Sequence, residues 1–95
     1  MAALSGQRVV ITAGTAVRLH AATFPINGPL MVKALDTNTG FVAIGSDGAG
    51  DVTLSNGLRL DAGEVIVFSN VGDLFNLWLD AGVSGEGVSW LMLDV

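Results

Sequence analysis

Short hydrophobic runs alternate with turn-forming residues along the whole chain. Thirteen glycines and two prolines interrupt the sequence every several residues, and no window shows the apolar spacing of an amphipathic helix with caps at its ends. Runs rich in Val, Ile, Leu, Phe and Trp between turns are typical of the strands of a sandwich or barrel. The pattern predicts strands near 7–12, 16–22, 29–36, 40–46, 51–54, 58–61, 64–70, 73–80 and 86–94. We therefore expect an all-β fold, an antiparallel two-sheet β-sandwich or jelly roll with eight or nine short strands, as a single domain over residues 1–95.

Two glycine-containing turns predict hairpins, because strand pairing must place core residues on the same face. A three-residue loop at 55–57 needs Gly57 in the left-handed conformation, and a similar loop is centred on Gly14. The expected pairs are Leu54 with Leu58 and Val52 with Leu60 around the first loop, and Ile11 with Val17 and Val9 with Leu19 around the second. The second hairpin would place Arg18 and His20 together on the opposite face.

Two of the predicted strands in the C-terminal half are apolar on both faces. At 73–80, Phe75, Leu77 and Leu79 alternate with Leu74, Asn76 and Trp78, and at 86–94, Val88, Trp90 and Met92 alternate with Leu91 and Leu93. One face can meet an opposing sheet about 10 Å away, and the other needs cover from a loop, a partner subunit or a host surface. We expect an interface here, and the residues assigned to it are Leu74, Trp78, Val88, Trp90 and Met92.

Composition supports a surface that is covered by a partner. Hydrophobic residues make up 51% of the 95 residues and charged residues only 14%, where an ordinary domain has about 25% charged residues. A chain of this size buries only roughly 60 to 70% of its unfolded surface. The apolar runs fall well short of the ~18 residues that cross a bilayer, and no signal peptide is evident at the N-terminus. We expect a soluble protein with an interface that resembles a core cut in half.

Charge and cysteine content exclude further classes of protein. The formal net charge is −5, and the four cations are dispersed along the sequence, as Arg8, Arg18, Lys33 and Arg59. Nucleic-acid binding is not expected, because phosphate neutralisation needs a cluster of basic residues. The absence of cysteine excludes a fold held by disulfides.

The sequence offers little for catalysis or metal binding. His20 is the only histidine, so a His/Cys zinc site or a Cys-His nucleophile cannot form within one chain. A Ser-His-Asp arrangement remains open by counting, but there is no Gly-x-Ser-x-Gly elbow. The segment 47–51 lacks the spacing of a calcium loop, and 82–87 lacks the lysine of a P-loop. Nothing in the sequence indicates that Glu64 and Glu86 form the pair of carboxylates that a glycosidase needs. We expect no enzyme, no cofactor and no metal.

Three segments of the C-terminal half resemble small virion proteins of tailed bacteriophages. They are LxxGE at 60–64, VGDLxNLW at 71–78 and GEGVSWL at 85–91, and the likeness covers roughly residues 40–95. It is closest to capsid decoration (cement) proteins. The resemblance implies a compact β-sandwich or jelly roll, a homotrimer, and non-covalent binding to the major capsid protein lattice on the virion surface, after synthesis in the host cytoplasm.

Two alternatives stay open at this point. The same features suit a phage tail or adaptor component, because modules of this kind also occur there. A carbohydrate-binding module for host attachment could use Trp78 or Trp90 as a stacking platform, although tryptophan more often supplies buried area in a core or an interface.

Overall fold

The structure, a computed structural model, describes residues 4–46, 52 and 56–92. Within these residues the chain forms eight strands and one short 3₁₀ turn. The strands are β1 (Leu4–Val9), β2 (Val17–Arg18), β3 (Leu30–Ala34), β4 (Val42–Gly45), β5 (Leu58–Leu60), β6 (Val65–Phe68), β7 (Trp78–Ala81) and β8 (Gly87–Met92), and the 3₁₀ turn is Leu74–Asn76. The all-β prediction is confirmed.

The strands form two antiparallel four-stranded sheets. Sheet A has the order β1-β8-β3-β6 and sheet B the order β2-β7-β4-β5. The ladders β4–β5, β3–β6, β2–β7 and β1–β8 pair the strands from the middle of the chain outwards. This is the wiring of a jelly roll, in which one long folded-back double strand is rolled into two facing sheets. The predicted two-sheet sandwich is therefore correct, and its topology is the jelly-roll one.

Alternation along the central strands defines the core. In β3, Leu30, Val32 and Ala34 are buried while Met31 is exposed and Lys33 is half-buried. β8 alternates in the same way, and β4 and β7 supply the facing surface of sheet B. The residues fully or almost fully buried in this cluster are Val10, Leu19, Ile26, Leu30, Val32, Ala34, Val42, Ile44, Leu60, Leu74, Leu77, Leu79, Ala81, Val88, Trp90 and Met92. Each sheet thus contributes one face to the core.

The predicted strand at 73–80 is wrong in its first half. Residues 74–76 form the 3₁₀ turn, and only Trp78–Ala81 is a strand. Asp73 caps the turn: its Oδ1 accepts hydrogen bonds from Phe75 N at 2.9 Å and from Phe24 N at 2.7 Å. A capping aspartate satisfies amides that a strand would pair in a ladder. The period-two pattern of apolar residues here therefore did not reflect a strand.

The predicted hairpin around Gly14 is also wrong. Val17 pairs with Leu79 of β7, and Val9 pairs with Gly87 of β8, so the two strands that flank this turn lie in different sheets. The turn itself forms, with Gly14 at a φ of 87°. Its amide donates to the carboxylate of Asp80 at 3.0 Å, which ties the turn to sheet B.

The hairpin predicted at 55–57 lies mostly outside the described residues, as do the strand at 51–54 and the loop at 47–51. Gly57 does have the expected positive φ, at 113°. The described partner of β5 is β4, with Val42 opposite Leu60 and Ile44 opposite Leu58.

Candidate interaction surface

Four of the five predicted interface residues lie in the core of the chain. Leu74, Val88 and Met92 are 0% exposed and Trp90 is 7% exposed. β8 lies between β1 and β3 in sheet A, so its alternate residues Val88, Trp90 and Met92 point towards sheet B. Leu74 is buried by the 3₁₀ turn. The side chains of these four residues cannot form a partner contact, and the structure corrects that part of the interface prediction.

Trp78, the fifth residue, is half-buried on the outer side of sheet B. The guanidinium carbon of Arg18 lies 4.5 Å from the centre of the Trp78 ring and 3.5 Å from the centre of the Phe75 ring. Arg18 also donates from Nη1 to the carbonyl oxygen of Phe75 at 2.7 Å. Contacts within the chain therefore already cover part of Trp78.

The other faces of these strands show where the surplus apolar surface lies. On the outer side of sheet A, the register aligns Ser5 on β1, Leu91 on β8, Met31 on β3 and Val67 on β6 in one row across four strands. The neighbouring row contains Gln7, Ser89, Lys33 and Val65. The β1 side of this face is therefore polar, and the β3 and β6 side is mainly apolar.

We name the apolar part of this face the apolar patch, defined by Met31, Val65, Val67 and Leu91. Their exposed fractions are 43%, 48%, 57% and 38%. Among the described residues seven large hydrophobic side chains are exposed, and these four are on one sheet face. Scattered exposed apolar residues are normal, whereas four neighbouring ones on one sheet face make the apolar patch the candidate interaction surface among the described residues.

A shallow open depression of about 560 Å³ overlaps the patch at Met31 and Leu91 and extends towards β1. Its lining combines small and long residues: Ser5, Gly6, Gln7, Met31, Lys33, Ser89, Trp90 and Leu91. Ser89 is short and stands between Gln7 and Lys33 in its row, which leaves the face concave there. The indole of Trp90 packs under Gly6 on the core side, where an added Cβ on Gly6 would lie 2.5 Å from the ring. The depression makes this face concave, and Lys33 is the one charged residue among the described residues of its lining.

The sequence contains a signal for this surface, although four of the five residues predicted for an interface are buried in the core. The strand predicted at 86–94 is apolar on both faces. Of its described apolar residues, Leu91 is the one whose side chain is exposed. Met31, Val65 and Val67 were missed. The run Val65-Ile66-Val67-Phe68 is apolar at every position, and that is the signal that could have found the β6 part of the patch.

The two glutamates of the chain, Glu64 and Glu86, make structural contacts with backbone amides. Glu86 accepts hydrogen bonds from Gly40 N at 3.0 Å, Thr39 N at 2.6 Å and Thr39 Oγ1 at 2.9 Å. The Gly40 and Thr39 amides hold the pKa of Glu86 below its ordinary value, because they stabilise the carboxylate. Glu64 accepts instead from Asp61 N at 2.7 Å. Each glutamate thus holds a separate turn.

His20 has an environment of rings and backbone. Its Nδ1 lies 2.7 Å from the carbonyl oxygen of Ala22, and its ring is edge-on to Phe24 and Trp90, with centroids 5.2 Å and 6.3 Å away. In the part of the chain that the structure describes, no three His, Cys, Asp or Glu side chains are close enough together to hold a metal ion. Across those same residues, no helix is long and apolar enough to cross a membrane.

Comparisons with protein-family models, curated proteins and solved structures gave no significant match.

Proposed function

We propose that this protein is a non-enzymatic structural component that binds a larger particle through the apolar patch of sheet A. The observation that carries the proposal is the row Leu91, Met31 and Val67, which presents exposed apolar side chains on three adjacent strands. Burying such a row against a partner is favourable at roughly 25 cal/mol per Å² of apolar surface. The polar residues at the β1 side, such as Gln7 and Ser89, fit the rim of such an interface.

The particle we propose is a phage capsid, with the major capsid protein lattice as the partner. This step comes from the resemblance of residues 60–64, 71–78 and 85–91 to decoration proteins. An eight-stranded jelly roll with an apolar patch on one outer face is compatible with a protein that lies on a shell. Binding to the shell by this face would leave sheet B facing outwards.

The test is sedimentation of purified protein with undecorated capsids, comparing wild type with M31E. Met31 is in the middle of the patch, and a carboxylate there must be desolvated on binding, so we expect the capsid-bound fraction to fall about tenfold or more. Q7E is the matched control, because it adds the same charge to the polar side of the same face. We expect Q7E to bind like wild type.

Both variants change exposed positions, so circular dichroism should show both folded. If wild type does not sediment with capsids, the capsid partner is wrong. If M31E binds as well as wild type, the patch is not the contact surface.

The tail or adaptor alternative uses the same surface and differs in the partner. Electron microscopy with a labelled antibody distinguishes a head location from a tail location on intact particles. The carbohydrate alternative receives no support from the rings, because Trp90 is 7% exposed and Arg18 lies against Trp78.

A further inference from the structure

The four edge strands of the sandwich differ in how they discourage pairing with another chain. β2 has only two residues, and β5 has three and includes Arg59. β1 contains Arg8, whose Nε donates to the carbonyl oxygen of Arg18 at 2.9 Å. β6 is uncharged, with the sequence Val-Ile-Val-Phe. Charged residues and short length are the usual protection of a sheet edge, and β6 lacks the charge.

The hydrogen-bond phase of β6 identifies which backbone groups point away from the sheet. Ala34 N donates to Glu64 O at 2.9 Å and Gly63 N donates to Ala34 O at 3.0 Å, with Gly63 at a φ of 80°, as in a glycine bulge. Alternation from this point makes Ile66 and Phe68 the residues bonded to β3. The N–H and C=O groups of Val65 and Val67 therefore face the outer edge, where no strand of the described residues pairs with them.

We propose that β6 pairs with β6 of a second copy of this chain, antiparallel about a two-fold axis that passes between the two Val67 residues. The two copies of sheet A then form one continuous eight-stranded sheet. In this register Val67 faces Val67, Val65 faces Ser69, and Ile66 faces Phe68 of the other copy. The outward-facing groups of Val67 then pair with those of Val67 in the other copy, and those of Val65 pair with the backbone of Ser69, the residue that follows β6, which gives about six bonds.

Side chains and charges favour this register over its neighbours. It places Glu64 opposite Asn70, a polar residue that is exposed in the single chain. Centring on Ile66 would place the Glu64 carboxylate opposite Phe68, and centring on Glu64 would oppose two carboxylates. Cross-strand pairs of apolar side chains stabilise a sheet, and like charges directly opposite destabilise it. A second copy therefore fits this edge without placing like charges opposite each other.

Single-cysteine cross-linking tests the register directly, because the natural chain has no cysteine. Opposed residues of a hydrogen-bonded pair have Cα atoms about 5.5 Å apart, within the range of a disulfide. We expect dilute V67C to form a disulfide-linked dimer under mild oxidation, roughly tenfold or more faster than V65C. V65C is the matched control: Val65 and Val67 have similar exposure, 48% and 57%, on the same face, but the two Val65 residues would be more than ~13 Å apart.

Sedimentation equilibrium provides a second measurement without cysteine. We expect V67K to raise the dimer dissociation constant about fivefold or more, because the two introduced lysines face each other. Q7K, with the same charge change on the far strand of sheet A, should leave it unchanged. Cross-linking of V67C no faster than V65C, a monomer at every concentration, or a trimer insensitive to V67K overturns the proposal. Capsid binding is a separate measurement, so this inference can fail or hold independently of the proposed function.

Discussion

The strands of both sheets alternate between inward-facing and outward-facing residues, but the outer faces of the two sheets differ in how far they are covered. On sheet B the outward positions of β4 and β7 include Ala43 and Asp80, which are 2% and 1% exposed. The Asp80 carboxylate accepts hydrogen bonds from Gly14 N and Ala81 N. On sheet A the outward positions hold Met31 and Leu91, both exposed. Contacts within the chain thus cover much of the outer face of sheet B and leave the patch of sheet A open.

The difference shows where the high hydrophobic content of the sequence is placed. On sheet B, the small residue Ala43 and the hydrogen-bonded Asp80 are covered by other parts of the same chain. The β-branched and long apolar side chains on the outer face of sheet A share that face with polar residues at the β1 side and with Ser89 and Lys33 in the neighbouring row. Four of the seven exposed large hydrophobic residues among the described ones therefore lie on one face of one sheet, and each prediction below tests whether the two faces behave differently.

The largest effect is expected for W90A. Trp90 is almost fully buried and packs against His20 and Gly6, so its truncation should lower the free energy of unfolding by about 3 to 5 kcal/mol. Urea denaturation followed by circular dichroism measures this value.

W78A is the control on the outer side of sheet B, where the ring is only half-buried. Its loss should be clearly smaller. Equal losses would mean that the inner and outer sides of the sheets do not differ as described.

An intermediate effect is expected for R18A. Arg18 contacts the rings of Phe75 and Trp78 and donates to a backbone carbonyl, so its removal should cost about 1 to 2 kcal/mol. Arg59 makes a comparable contact with one ring, Phe41, at 4.2 Å, but its side chain is 63% exposed.

R59A should therefore cost about 0.5 kcal/mol or less. The same denaturation experiment compares the two. A loss for R59A as large as that for R18A would show that enclosure between two rings adds nothing on sheet B.

The smallest effect is expected for the contact of Glu86, which joins the β3–β4 and β7–β8 connections and belongs to neither face. Because its pKa is lowered on folding, its contribution is present above the ordinary value of 4.5 and is lost as the pH falls through the lower folded value. E86Q should therefore be less stable than wild type at pH 7, and the difference should shrink in acid. Denaturation midpoints of both proteins from pH 7 to about pH 3 measure this.

A difference between the two proteins that grows in acid would contradict the lowered pKa. T39A would separate the hydroxyl contact from the two amide contacts, because it removes only the Thr39 Oγ1 hydrogen bond.

Local pattern predicted the positions of several strands but not their partners. The alternation in β3 and the flanking turns placed strands near 29–36, 64–70 and 86–94, close to the observed Leu30–Ala34, Val65–Phe68 and Gly87–Met92. The Gly14 hairpin prediction is wrong because β1 and β2 lie in different sheets of the jelly roll, and a turn sequence contains no information about that. The spacing of apolar residues does not reveal the 3₁₀ turn at 74–76, because the turn depends on capping by Asp73 and not on periodicity.

The site was harder to predict for a related reason. Trp90 and Leu91 are both apolar, so alternation alone cannot show which of them faces the core. The row from Leu91 to Val67 exists only because β8, β3 and β6 are neighbours in the sheet, although they are far apart in sequence.

The nested order of the strand ladders also has a consequence for the time course of folding. β4 and β5 are consecutive strands, whereas β1 pairs only with β8 among the described strands. During synthesis the β1–β8 ladder can form only after almost the entire described chain has left the ribosome. Chains dominated by such distant pairings fold slowly, in milliseconds to seconds. Until β8 has been synthesised, β1 therefore has no partner among the described strands of the nascent protein, and sheet A is incomplete.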